Sequence, residues 1–480
     1  MQKKIETGTS KFMLVDDLSP EDLAMLQALY SRSAESAEVH LEKVAKSGSG
    51  KFMERFYVGY GHKSIADCGS TTLFIEGVST LAAKAVQDWP LYSGQETSTR
   101  YIDMSKQRIE DPVGTSVSRA ILDRWMEFYT TSQGAVEATI RERYPQSKQD
   151  SEAVAQRLYK KALNQLSDDE LAAVEKSAKT SYEGAVKARV FDSLRGFLPA
   201  GVTTQLSWHT NLRQAGDHLV MLSKHPSKEI RDIGTSLQKL LGETYTSSGM
   251  GMSLASVSGV GTEGGTEAQD ARRRWEQTVA DTYSYFDDFS SSEAFETSIH
   301  RSFLTPFQDI IQSRPRGCVL PHFMTDLGQL HFSFPLDFGS FRDLQRHRNG
   351  VCRMPLLTTD HEFEPWYIEQ LGNGLDVEAL NLIDWQTAAI KKISDDPVVR
   401  QYYTALGFRV PCFVTFGLPA AVYVMELRSG KTIHPTLRRV IHRMIGQFRN
   451  EFPEFPLHVD MDPDDWSVRR GMQTITQKPV

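Results

Sequence analysis

At 480 residues the chain is too long for one ordinary core, so two domains or one duplicated unit is the expectation. A 24% share of charged and 40% of apolar residues describes a globular protein, and a formal net charge of -7 excludes a general attraction to nucleic acid, so any bound phosphate needs a local arginine cluster. Four scattered cysteines, Cys68, Cys318, Cys352 and Cys412, offer neither a disulfide framework nor metal-ligand spacing, which predicts a reducing, cytoplasmic setting and no metal site.

The N-terminus has no apolar signal core, and the most apolar window, roughly 411–425, is interrupted by Thr415, Gly417 and Pro419; no membrane segment is expected. Ser19-Pro20-Glu21-Asp22 reads as a helix start, with Ser as cap and Pro at the first helical position. A second helix is expected over about 34–46. Ser70 to Ile75 is β-prone, whereas Val78, Leu81, Ala82, Ala85, Val86 and Trp89 recur at helical spacing, which predicts a strand running into a buried helix. An exposed loop through Ser93, Gln95, Glu96, Ser98 and Arg100 then offers hydroxyl and guanidinium groups suited to a nucleotide phosphate.

From about 107 to 187 the pattern is helical and charged, with Ser167-Asp-Asp-Glu170 as a helix start. The Gly/Ser-rich stretch 247–268 reads as a linker, and helical segments are expected over about 270–311. Beyond it the order repeats: the alternating stretch 328–334 matches 73–75, a helix with Phe338, Phe341 and Leu344 delivers Arg346-His347-Arg348, and Leu427-Arg428 precedes His434-Pro435-Thr436 as Met221-Leu222 precedes His225-Pro226-Ser227. Two copies are the economical reading, 1–246 and 269–480.

These motifs together resemble the flavin-dependent thymidylate synthases, whose signature reads Arg-His-Arg, then Ser, Asn and Ser, then Arg. The first copy keeps the back of that signature, with Asp88-Trp89-Pro90 replacing its front; the second keeps the front, with Val351, Arg353, Leu356 and Thr358 replacing its back. The resemblance implies an α/β (α+β) fold of two fused synthase-like domains, each with a central, mostly antiparallel sheet flanked by long helices. It further implies methylation of dUMP, with FAD as cofactor and methylenetetrahydrofolate and NADPH as cosubstrates.

By the same resemblance, Gln95, Glu96, Ser98, Arg100 and Arg195 (Arg189 being second choice) contact the nucleotide. Arg346, His347 and Arg348, joined by His62 and Ser64 and by Asn211 and Arg213 of a helix over 203–213, hold the flavin. Arg428 and Ser98 are expected at the reacting centre. Each half supplies what the other has lost, so the expected site is composite, and two chains form a homodimer equivalent to the family's tetramer. A flavoenzyme acting on another pyrimidine nucleotide and a non-catalytic nucleotide-binding homologue are the alternatives.

Overall fold

A computed structural model describes residues 2–7, 10–52, 63–246, 265–284, 293–372 and 374–473. The chain folds into two compact units, each discontinuous in sequence: 1–76, 85–96 and 205–284 form one, and 77–84, 97–204 and 285–480 form the other. Residues 97–204 therefore count with the second half of the sequence, and the loop from Ser93 to Arg100 in the first motif is divided between units at 96/97.

In the first unit a hairpin of β1 (Gln2–Thr7) and β2 (Ser10–Val15) precedes helices Pro20–Tyr30 and Ala37–Ser47. Ser19 caps the first of these as its sequence predicts, its hydroxyl accepting from the Asp22 amide at 3.1 Å. Met25, Leu26, Leu41 and Val44 close a small core between the two helices.

Strand β3 (Ser70–Ser79) pairs with β4 (Thr203–Asn211) in a two-stranded sheet. The helix expected over 203–213 is thus a strand as far as Asn211. Thr204, Leu206, Trp208 and Thr210 are buried while Gln205 and His209 face outward, a period of two that a helix cannot satisfy. Helices Leu212–Leu222 and Lys228–Thr244 follow.

The second unit is built on a four-stranded antiparallel sheet in the order β5 (Ala294–Thr297), β6 (Gln329–Asp337), β8 (Arg409–Gly417), β7 (Gly350–Cys352). Strand β5 corrects the expectation of helix throughout 270–311: helix Gly265–Ser284 ends before it, and Phe295 pairs across the sheet with Phe332, ring centroids 4.8 Å apart. Helices Ser116–Thr131, Asp168–Leu194, Leu375–Ile393, Leu418–Arg428 and Pro435–Glu451 surround a core that includes Trp125, Phe197, Phe338, Tyr403 and Met444. The fold is thus mixed α and β, with small antiparallel sheets in place of one central sheet. Of the expected linker, 247–264 lies outside the described residues, and a helix begins at Gly265.

Within the second unit, hydrogen bonds recur in matched pairs. Gly201 accepts from the Glu110 amide and Gly407 from the Glu364 amide, each at 2.8 Å; the Thr80 amide donates to Val202 and the Phe338 amide to Phe408, each at 3.0 Å. Between the matched segments, the Ala200 amide donates to Thr404 and the Leu406 amide to Leu198, both at 2.9 Å. Gly201 to Tyr402 at 2.8 Å is answered by Gly407 to Gly196 at 2.7 Å. Residues 196–202 thus correspond to 402–408 about a local two-fold centred on the Pro199 and Ala405 bridge. This places Arg195 and Gln401, and Ser79 and Asp337, in equivalent positions.

Candidate functional site

Two helix ends organise the site. Asp337 caps helix Phe338–Leu344, its Oδ2 accepting from the Ser340 amide at 2.9 Å, and that helix carries Asp343 one turn before Arg346. The long helix Asp168–Leu194 starts with a capping box between Ser167 and Glu170 and delivers Asp192 and then Arg195 at its other end. Each end presents the same spacing, Asp192-Ser-Leu-Arg195 and Asp343-Leu-Gln-Arg346.

Arg195 is fully buried and donates to Ser340 Oγ at 2.7 Å, with Asp343 at 3.5 Å and Asp337 at 3.9 Å. Arg346 lies 3.8 Å from the other Asp343 oxygen, and Arg428 donates to the Asp343 carbonyl at 3.1 Å. Burial alone would raise the Asp343 carboxyl, but Arg346, Arg195, Arg100 and Arg428 together hold it well below the ordinary carboxylate range. Arginines from both motifs therefore converge on one carboxylate.

Arg428 Nε donates to His347 Nε2 at 2.7 Å, which requires the other ring nitrogen to carry the proton. Burial, reinforced by Arg428, pushes His347 down to about 3, so the imidazole is neutral. Arg100 grips Asp192 with Nε at 2.7 Å and Nη2 at 2.9 Å, a bidentate pair. The loop expected to expose Arg100 instead leaves its side chain 11% accessible. Ser98 accepts from the Arg100 amide at 3.2 Å and shapes that turn.

The second unit so gathers Ser98, Arg100, Arg195, Arg346, His347, Arg348 and Arg428. The other expected residues lie in the first unit or outside the described residues. Gln95 pairs through its backbone with Ser207, and Glu96 accepts from Gln87 Nε2 at 2.9 Å. Ser64 is exposed on a 3-10 turn, Lys63–Cys68. Asn211 caps helix Leu212–Leu222 through a 2.8 Å bond from the Gln214 amide, and Arg213 pairs with Asp67 at 2.6 Å. His62 lies outside the described residues.

Trp89 stands at the sequence position that the first motif matches to His347. Its indole stacks on His218, centroids 4.6 Å apart, and donates to Gln214 at 2.9 Å. A packed ring pair stands where a cradle would need open donors. Asp192, Asp343 and Arg470 escaped the sequence reading, although the Asp-x-x-Arg spacing carried a signal for both carboxylates, because residues three apart share a helix face.

Residues 13–245 match the family described as thymidylate synthase complementing protein. Over these residues the chain is similar to that family. The second unit's cluster draws Ser98, Arg100, Asp192 and Arg195 from the matched segment. The chain is also similar to UPF0159 proteins: 24% identical to one from Thermoplasma acidophilum over 90% of this chain and 93% of that one, and 22% identical to one from Chlamydia pneumoniae over 89% and 84%. A further UPF0159 protein, from Chlamydia muridarum, is 23% identical over 91% of this chain and 85% of its own. No solved structure matches the chain. Among the described residues no helix is long and apolar enough to cross a membrane, and no cluster of His, Cys, Asp and Glu could hold a metal ion.

Proposed function

We propose that this chain, similar over residues 13–245 to the thymidylate synthase complementing proteins, methylates the pyrimidine ring of dUMP in a flavin-dependent reaction at one composite site. The observation that carries this reading is the convergence of Arg195, from the first motif, with Arg346 and Arg428, from the second, on Asp343. Fusion of two synthase-like copies, with complementary losses, accounts for the local two-fold and for the plugged Trp89 position together.

The side chains fit the anionic ligands. Arg346 is 41% accessible and Arg348 half-buried, so this helix end can meet a diphosphate, and the neutral His347 beside them adds no charge to be screened. The flavin, when bound, supplies hydride transfer and methylenetetrahydrofolate supplies the carbon. Arg346, His347 and Arg348 would hold the flavin's phosphates, and Ser98 and Arg100 the nucleotide's phosphate. Arg428, fixed by His347 and the Asp343 carbonyl, would stabilise negative charge developing on the uracil ring.

A second reading, a nucleotide-binding protein without catalysis, draws on one observation: Asp192 already satisfies Arg100, so a nucleotide phosphate must compete with an internal carboxylate. A flavoenzyme acting on another pyrimidine nucleotide would use the same cluster. Assay of dTMP formation from dUMP, methylenetetrahydrofolate, NADPH and FAD separates these readings. We expect turnover that Arg428→Ala abolishes; flavin-loaded protein without dTMP formation would refute the proposed reaction.

A further inference from the structure

Asp192, near the end of the long helix, is shared by two guanidiniums from segments 370 residues apart. Arg100 holds it through Nε at 2.7 Å and Nη2 at 2.9 Å, and Arg470 Nη2 reaches the same two oxygens at 3.2 and 3.4 Å. The residue is 3% exposed, so water can do little to replace a partner that leaves.

The two arginines are tied down differently. Apart from Asp192, the Arg100 side chain has one hydrogen bond among the described residues, from Nη2 to the Thr432 carbonyl at 3.3 Å. Arg470 is anchored without help from that side chain. Its guanidinium lies over the Tyr101 ring, 4.1 Å from the centroid, donates to the Tyr101 hydroxyl and reaches the Arg100 carbonyl at 3.4 Å.

The C-terminal segment that carries Arg470, with a 3-10 turn over Val468–Gln473, is pinned as well. Trp466 stacks on Tyr144, centroids 4.7 Å apart, and Asp465 pairs with Arg189 of the long helix at 2.8 Å. Gly471 crosses Gly184 so closely that a Cβ on Gly184 would lie 3.0 Å from Gly471 Cα. Departure of the Arg100 side chain from Asp192 would leave all of these contacts intact.

This difference bears on the competition for Arg100. Were Arg100 the sole counter-ion, turning it to a phosphate would strand a buried carboxylate, a strongly unfavourable step. With Arg470 in place, Asp192 keeps a charge-assisted partner. We propose that Arg470 is a positioning residue for the nucleotide site: it takes over Asp192 when Arg100 turns to the ligand's phosphate. The inference rests on the proposed assignment of Arg100 to that phosphate. Arg470 lies outside residues 13–245, so the family similarity does not supply this role.

Calorimetric titration of the full chain, supplied with FAD, with dUMP tests the hand-over. Arg470→Gln should weaken dUMP binding at least about tenfold, because Asp192 then depends on Arg100 alone. Arg470→Lys keeps the charge and should lose less. Adding Asp192→Asn to Arg470→Gln should restore affinity, since a neutral amide does not hold Arg100 back; a residue that only supported the fold would not be rescued by a second buried substitution. Should Arg470→Gln fail to fold by circular dichroism, Asp192→Asn alone should bind dUMP more tightly than wild type, and weaker binding overturns the inference. Wild-type affinity in folded Arg470→Gln, or no recovery in the double variant, overturns the hand-over while the nucleotide assignment stands. No dUMP binding by the wild type would overturn that assignment and this inference with it.

Discussion

Asp337 and Asp343 lie six residues apart and both approach Arg195, yet their surroundings drive them in opposite directions. Burial raises the Asp337 carboxyl despite Arg195, and its Oδ1 has no partner, whereas four guanidiniums hold Asp343 well below the ordinary range. Asp343→Asn removes a counter-charge from buried Arg195 and should cost roughly 3–5 kcal/mol in urea unfolding. Asp337→Asn keeps an oxygen for the Ser340 amide and the Tyr367 hydroxyl, and should cost clearly less. Equal losses would mean that charge on Asp343 is not what organises the cluster.

The histidines predict a direction for acid sensitivity. His347 is pushed down to about 3, and His218 and His225 to about 4, in each case first by burial. Their unfolded forms protonate near 6.5, so the unfolded chain binds protons first and stability falls as pH drops below about 6.5. Asp192 and Asp343, depressed in the fold, add stability above about 3.9 that is lost as pH falls through their folded values. Urea midpoints should therefore decline from pH 7 to 5 and more steeply below 4. NMR should show the His347 ring neutral throughout pH 8 to 5; titration near 6.5 would remove its bond from Arg428.

At the scale of elements, helix starts were the most legible feature, because Ser19-Pro20 and the Ser167 to Glu170 box encode caps through local hydrogen bonds. Strand β6 was legible from its alternation. Strand β4 was not, since Asn211 and Arg213 drew attention to a helix that starts only after the strand ends. Strand β5 is four residues long, too short for a period to register.

The two-fold crossing was invisible because it depends on contacts between residues some 200 positions apart. It predicts a matched pair of lesions. A Cβ on Gly201 would meet the Glu110 and Tyr402 carbonyl oxygens at 2.7 and 2.8 Å, and one on Gly407 would meet the Phe363 ring and, at 2.8 Å, the Gly196 oxygen. Gly201→Ala and Gly407→Ala should each lower stability by about 1–3 kcal/mol or more in urea unfolding. A neutral result at either position would show that the crossing can relax.

For the whole molecule, the sequence made the arginines legible and left their partners hidden. Arg100, Arg346 and Arg428 stood out by register with a known signature, whereas Asp192, Asp343 and Arg470 carry no signature and gain meaning only when distant segments meet in the second unit. The sequence pattern suggested a composite site drawn from two halves, 1–246 and 269–480. The compact units cut across the halves, and residues 97–204 with 285–480 make a body that holds most of both motifs' cations. The Trp89 ring is packed against His218, so one flavin per chain is expected and not two.

Titration of the purified full chain with FAD, followed by visible absorbance and then by addition of dUMP, tests the composite site most directly. The account predicts one flavin bound per chain, a spectral shift on adding dUMP, loss of flavin in Arg346→Ala, and loss of the dUMP shift alone in Arg100→Ala. Two flavins per chain, or full flavin occupancy in Arg346→Ala, would contradict it.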